Sequence, residues 1–304
     1  MKRFCLFICV LFALILLAGC ASAPLSAQAA SPVPTAVQTD APTAAATAEP
    51  IAAATAAPTE QPTPSPSPTP MPTPEPITPE RLDSGEFDSY FNDALLIGDS
   101  LTDMLSGYVR SRRETEKDLL GTARLFGVKG MNIKTACRDV ASPGDRTYRY
   151  RGKAVSITEL ITACDAKRVF IMLGVNDVAD RPYETVKEQF AQLIDAIREK
   201  CPDTEIIIQS VLPITKQYCN LKGVEITYFN GFNAVLSEVC ADHGARFLDF
   251  SKDLMDKNGY LAQAFSSDQQ FHLSRNGEAI WIRALRLYAA QQMYPNAEVL
   301  LPEE

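Results

Sequence analysis

The feature that most constrains this chain is a rhythm. Five short apolar runs (Ala94 to Ile97, Arg124 to Val128, Arg168 to Leu173, Glu205 to Leu212 and Ala245 to Phe250) alternate with stretches of helical period. A strand that is apolar on both faces must be covered on both, which is the condition of a parallel strand with helices above and below. The intervening stretches supply those helices. Ser156-Ile-Thr-Glu159 is a capping box that opens a short helix to Cys164. Pro182 starts a longer one, whose Phe190, Leu193, Ile194 and Ile197 share one face and which Cys201-Pro202 ends. Tyr228 to Asp242 and Asn276 to Met293 repeat the pattern. This alternation predicts an α/β fold, a doubly wound and mainly parallel five-stranded sheet flanked by helices. In such sheets ligands bind beyond the carboxyl ends of the strands.

The rhythm does not extend over the whole chain, and three zones are expected. Residues 1–20 read as a secretion signal: Lys2 and Arg3 precede an apolar core from Phe4 to Ala18. That core is shorter than the roughly 20 residues needed to cross a bilayer. Its end, Leu17-Ala18-Gly19-Cys20, resembles the bacterial lipobox, in which the cysteine is lipidated. An ordinary signal cut at a later small residue, or an uncleaved anchor, is the alternative. Residues 21–82 are rich in Pro, Ala and Thr and carry almost no bulky apolar side chains, so they cannot offset the entropy of folding. They read as a disordered, semi-rigid tether that spans on the order of 190 Å when extended. Residues 83–304 have ordinary composition and suffice for one core.

Charge and cysteines exclude more than they assign. Lys and Arg number 29 against 37 Asp and Glu, a net −8 with no long basic tract, so a nucleic-acid partner is not expected. The domain cysteines Cys137, Cys164, Cys201, Cys219 and Cys240 have no metal-site spacing. They read as small core residues, with a disulfide framework as the alternative in an exported chain. Arg146 to Lys153 alternates Arg and Tyr and reads as a solvated hairpin over a sheet edge, or as a groove for sugars or anions.

Chemistry concentrates at the ends of the apolar runs. Ala94 to Ile97 stops at Gly98-Asp99-Ser100, which places a serine at the tip of a buried strand and near the start of a helix. Free backbone N–H groups there favour developing negative charge. A serine nucleophile needs a base, and the chain holds two histidines. His272 lies just before Ser274, which has the look of a helix N-cap, and Asp268 is four residues earlier. His243, in Ala241-Asp-His-Gly244, reads as a helix-end or surface histidine. Asn176, in Leu173-Gly-Val-Asn-Asp177, and Gly130, in Val128-Lys-Gly-Met-Asn132, also follow strands. Asp99 and Asp177 read as residues that hold loops through backbone hydrogen bonds.

In order and spacing these blocks resemble the SGNH, or GDSL, hydrolase family over about residues 93–290. The resemblance implies a flavodoxin-like three-layer architecture and no metal or cofactor. It implies that Ser100 is the nucleophile and His272 the base, and that the oxyanion hole is made of Ser100, Gly130 and Asn176. One departure stands out. The family's aspartate lies three residues before the histidine, where this chain has Gln269. Asp268 would have to reach the ring through a bulged loop, or a carbonyl orients a Ser100–His272 dyad. The expectation is an exported serine esterase, lipid-anchored at Cys20 on the outer face of the cell membrane. Its expected substrates are short, acetyl-type esters, with O-acetylated glycan as the first choice. An O-acyltransferase acting on wall glycans and a catalytically weak wall-binding lipoprotein are the alternatives.

Overall fold

The computed structural model describes residues 74–141 and 147–301. The expected signal segment with Cys20, the tether as far as residue 73, and Arg146 lie outside the described residues.

Five parallel strands form the central sheet: β1 (Ala94–Gly98), β2 (Arg124–Gly127), β5 (Arg168–Met172), β6 (Glu205–Gln209) and β7 (Arg246–Leu248). The other two, β3 (Tyr148–Tyr150) and β4 (Lys153–Val155), pair antiparallel as a hairpin. The sheet order is β2-β1-β5-β6-β7, which is the flavodoxin-like winding. Eight α-helices are seen among the described residues. They are α1 (Pro79–Asp83), α2 (Ser100–Arg112), α3 (Ile133–Ala141), α4 (Ile157–Cys164), α5 (Tyr183–Lys200), α6 (Lys216–Lys222), α7 (Ile226–Asp242) and α8 (Arg275–Met293). Helices α1, α2 and α8 pack together, and α3, α4, α5 and α7 form a second group. The sheet lies between them, as two-faced apolar strands require.

The apolar pattern explains the packing. Every residue of β1 is buried, and Val186, Phe190, Leu193, Ile194 and Ile197 turn one stripe of α5 inward. Burial of each such side chain contributes about 1.5–3 kcal/mol. The capping box of α4 forms as predicted: Ser156 Oγ accepts from the Glu159 amide and the Glu159 carboxylate accepts from the Ser156 amide. Several polar groups inside the core find partners. Trp281 of α8 donates to Gln209 Oε1 at 2.7 Å, and Arg286 grips Asp88 through two hydrogen bonds at 2.9 and 2.6 Å.

Among the boundaries that differ from the sequence reading, two have a clear physical cause. The expected strand from Glu205 to Leu212 stops at Gln209. Asn233 of α7 takes both the amide and the carbonyl of Val211, at 2.8 and 2.9 Å, and so replaces the strand partner there. The folded region also begins before residue 83. Ile77 is fully buried and bridges Val299, and Leu82 of α1 is fully buried too. Ile77 donates to Glu298 O at 2.7 Å and accepts from the Leu300 amide at 2.9 Å. The basic stretch forms the expected hairpin. Tyr148 is buried, and Tyr150 lies edge-on to Phe126 of the edge strand β2 at 6.4 Å. Its tyrosines therefore face protein rather than an open groove. The five domain cysteines are all free and buried.

Candidate active site

The winding reverses direction between β1 and β5, and the crevice beyond that point is where such sheets bind ligands. Gly98, the last residue of β1, pairs in register with Gly127 of β2 and with Met172 of β5. The segments that follow these three strands therefore emerge at one level. They carry Ser100, Gly130 and Asn176, so the three residues singled out in the sequence share one edge of the sheet.

Local geometry prepares each of them. Gly98 has no room for a side chain: a Cβ there would lie 2.1 Å from Thr102 Oγ1 and 2.6 Å from Met172 O. Its absence lets α2 start directly above the strand. Asp99 is the N-cap of α2, and its Oδ1 accepts from the Leu101 amide at 2.9 Å. Ser100 is thus the first helical residue, whose N–H has no partner within the helix. Gly130 is glycine for a different reason. A Cβ would touch nothing within 4 Å, but φ is +72°, a conformation that other residues adopt only at a cost.

The distant ends of the domain meet at the serine. Ser100 Oγ lies 2.9 Å from His272 Nε2, and His272 Nδ1 lies 2.5 Å from Asp268 Oδ2. The extra residue between Asp268 and His272 is absorbed by Gln269, which takes the left-handed conformation with φ +61°. The loop is pinched shut by the Ser267 amide, which donates to His272 O at 2.9 Å. Asp268 Oδ1 also accepts from the amides of Gln270 and His272, at 2.8 and 3.2 Å. Burial works against a charged carboxylate there, but His272 and the two amides outweigh it and hold Asp268 below its ordinary pKa. Ser274 is the N-cap of α8, as its position suggested. His243 ends α7 at the opposite edge of the sheet and pairs with Asp195 at 2.8 Å.

Asn176 is more tightly held than expected. Its Nδ2 donates to Met131 O at 3.0 Å and to Asp99 Oδ2 at 3.3 Å. A side-chain amide has two hydrogens, so both are engaged in this state. The longer contact lies beyond the usual 2.7–3.2 Å range and is the weaker of the two. Asp99 and Asp177 hold backbone amides, as anticipated. Asp177 accepts from the Ile133 amide at 3.1 Å and from Arg181 at 2.9 Å. Burial pushes Asp99 up to about 7 against the pull of the Leu101 amide, and the nearby Asp177 charge adds to the rise. Burial likewise raises Asp177, with the Ile133 amide and Arg181 opposing it. Among the described residues no cluster of three or more His, Cys, Asp or Glu side chains is placed to hold a metal ion.

Sequence reasoning missed the support behind the His272 loop. Thr215, the N-cap of α6, donates its hydroxyl to Gln269 O at 2.5 Å and its amide to Gln270 O at 2.8 Å. Thr215 lies two residues after Pro213 and precedes a helix of only seven residues. The one available signal was an ordinary N-cap threonine, which says nothing about a partner more than fifty positions away.

A serine, a histidine and a carboxylate in one hydrogen-bonded line, at the switch point of a flavodoxin-like sheet, define a serine-hydrolase-like site. Residues 96–280 match the GDSL-like Lipase/Acylhydrolase family, and the chain belongs to that family as a carboxylic ester hydrolase of the GDSL type. Among solved structures it is similar to a Streptococcus pneumonia protein designated a platelet activating factor, with 18% identity and a TM-score of 0.50 over 69% of this chain and 92% of that one. It is also similar to the lipase/acylhydrolase from Enterococcus faecalis, with 16% identity and a TM-score of 0.48 over 66% and 96%. A further similar structure is a mutant acetyl-xylooligosaccharide esterase from Geobacillus Stearmophilus, with 18% identity and a TM-score of 0.46 over 64% and 93%. At these identities the likeness concerns the fold. No curated protein matches the chain.

Proposed function

We propose that this protein is an extracytoplasmic serine esterase that removes short acyl groups, acetyl above all, from envelope or external glycans. One observation carries the mechanism: the unbroken line from Ser100 Oγ through His272 to Asp268, at 2.9 and 2.5 Å. As Ser100 Oγ attacks the ester carbonyl carbon, its proton passes to His272 Nε2. Asp268 fixes the ring and stabilises the imidazolium that forms. The carbonyl electron pair becomes an oxyanion, which the N–H groups of Ser100 and Gly130 meet. Asn176 contributes by exchanging its long contact to Asp99 for the oxyanion. The tetrahedral species collapses, the C–O bond to the alcohol breaks, and the alkoxide leaves with the proton from His272. Water, giving a proton to His272, then attacks the acyl-serine carbonyl. The acid departs as Ser100 recovers its proton.

The exported location rests on the basic and apolar segment ahead of Leu17-Ala18-Gly19-Cys20, with Cys20 as the lipidated residue and the Pro-rich stretch as the tether. Covalent labelling by a fluorophosphonate probe tests the mechanism: wild type is labelled and Ser100→Ala is not. Labelling of both to the same extent would refute it. Globomycin-sensitive processing and radiolabelled palmitate incorporation that depends on Cys20 test the anchor.

A further inference from the structure

We infer that the half-buried aromatic rings of Phe271 and Tyr218 form the subsite for the alcohol portion of the ester, and that this portion is a sugar ring. The inference rests on the serine-esterase reading above. The Phe271 ring lies 4.3 Å from the His272 ring, and the Tyr218 ring lies 5.1 Å beyond it. The three rings make a continuous row that starts at the proposed base. Its direction assigns its role. The acyl oxygen must turn toward the amides of Ser100 and Gly130. The leaving oxygen must turn toward His272 Nε2, which returns the proton. The alcohol portion therefore extends along the His272 side, where the row continues.

The row is built rather than incidental. Thr215 anchors α6 to the loop of His272 through its two bonds to Gln269 and Gln270. The same hydroxyl accepts from the Tyr218 amide at 3.2 Å, which sets the first turn of α6. One residue thus fixes the position of Tyr218 relative to Phe271. Leu221 lies three residues after Tyr218 and so on the same side of α6, and it is 73% exposed. Polar groups accompany this apolar surface. Lys222 Nζ stands 5.8 Å from the Tyr218 ring and 2.9 Å from an Asp180 carboxylate oxygen. Rings tilted by 35° and 59° to one another, with the Lys222–Asp180 ion pair beside them, suit a pyranose, which offers C–H groups on its face and hydroxyls at its edge. An aliphatic alcohol would leave the ion pair unused.

The test compares kcat/KM on three acetyl esters that differ only in their alcohol: ethyl acetate, octyl acetate and acetylated xylo-oligosaccharides. Tyr218→Ala should lose about tenfold more on the oligosaccharide ester than on either alkyl ester, chiefly through KM. Tyr218→Phe keeps the ring and should restore the wild-type ratio. An equal loss on all three esters would make Tyr218 a mere support for the His272 loop and overturn the assignment. An equal loss on octyl and oligosaccharide esters would make the surface a site for apolar alcohols and overturn it too. Wild type that hydrolyses ethyl acetate but not the oligosaccharide ester would refute the sugar subsite and leave the esterase standing. Wild type that hydrolyses none of the three would refute the esterase reading itself.

Discussion

Asp99 offers the sharpest physical test, because a fully buried carboxyl sits directly beneath the proposed nucleophile. Its ordinary pKa of 3.8 is pushed up to about 7 in the folded chain, chiefly by burial. A carboxyl whose pKa is higher folded than unfolded favours the native state only while it is protonated. That contribution is complete below about pH 4 and is lost as pH rises through 7. The gap between the two values, at about 1.4 kcal/mol per pH unit, corresponds to roughly 4 kcal/mol. Asp99→Asn keeps an oxygen for the Leu101 amide and stays neutral at every pH. The stability of the variant relative to wild type should therefore climb by a few kcal/mol between pH 4 and pH 7.5, then level off. A domain of this size melts about 2–4 °C higher per kcal/mol, so the difference in Tm should change by roughly 10 °C. The new amide faces Asn176 and adds an offset that does not depend on pH, so the slope is the quantity to read. Thermal unfolding of both proteins across this range measures it. A difference that stays flat, or shrinks as pH rises, would refute the claim that burial holds Asp99 partly protonated.

Four further outcomes follow from the site. His272→Ala should remove most esterase activity and His243→Ala very little, since His243 pairs with Asp195 at the far edge of the sheet; kcat/KM for ethyl acetate decides this. Asp268→Asn should lower kcat by about 10⁴-fold, as loss of the orienting carboxylate does in other triads, and a loss under tenfold would favour a Ser100–His272 dyad. Asn176→Ala should cost about 10²–10³ in kcat with little change in KM, because the charge it meets exists only in the transition state. Gln269→Val puts a β-branched residue at φ +61°, so it should displace Asp268 and depress kcat, whereas Gln269→Gly should be tolerated and keep at least half of wild-type Tm-normalised activity.

The architecture was legible in the sequence because it is written in local periodicity. Each strand of the sheet and α4, α5, α7 and α8 announce themselves in runs of about four to twenty residues. Caps such as Ser156 and Ser274 mark their starts. The candidate serine, glycine and asparagine were legible for the same reason, since each follows an apolar run directly. Long-range pairings were not, because no local pattern encodes which distant segments meet. Ile77 looked like part of a proline-rich tether because its partner, Val299, lies at the other end of the domain. Asn176 looked free to donate until Met131 and Asp99 were seen to hold it. The sequence by itself determined a doubly wound α/β domain with a short list of reactive side chains at one edge. Only the tertiary structure decided that Ser100 and His272, 172 residues apart, lie within hydrogen-bond reach. It also decided that Asp268 reaches the ring despite its shifted position, because Gln269 turns left-handed and Thr215 clamps the loop from behind. These are consequences of packing, which is set by all the buried side chains together rather than by any one stretch of chain.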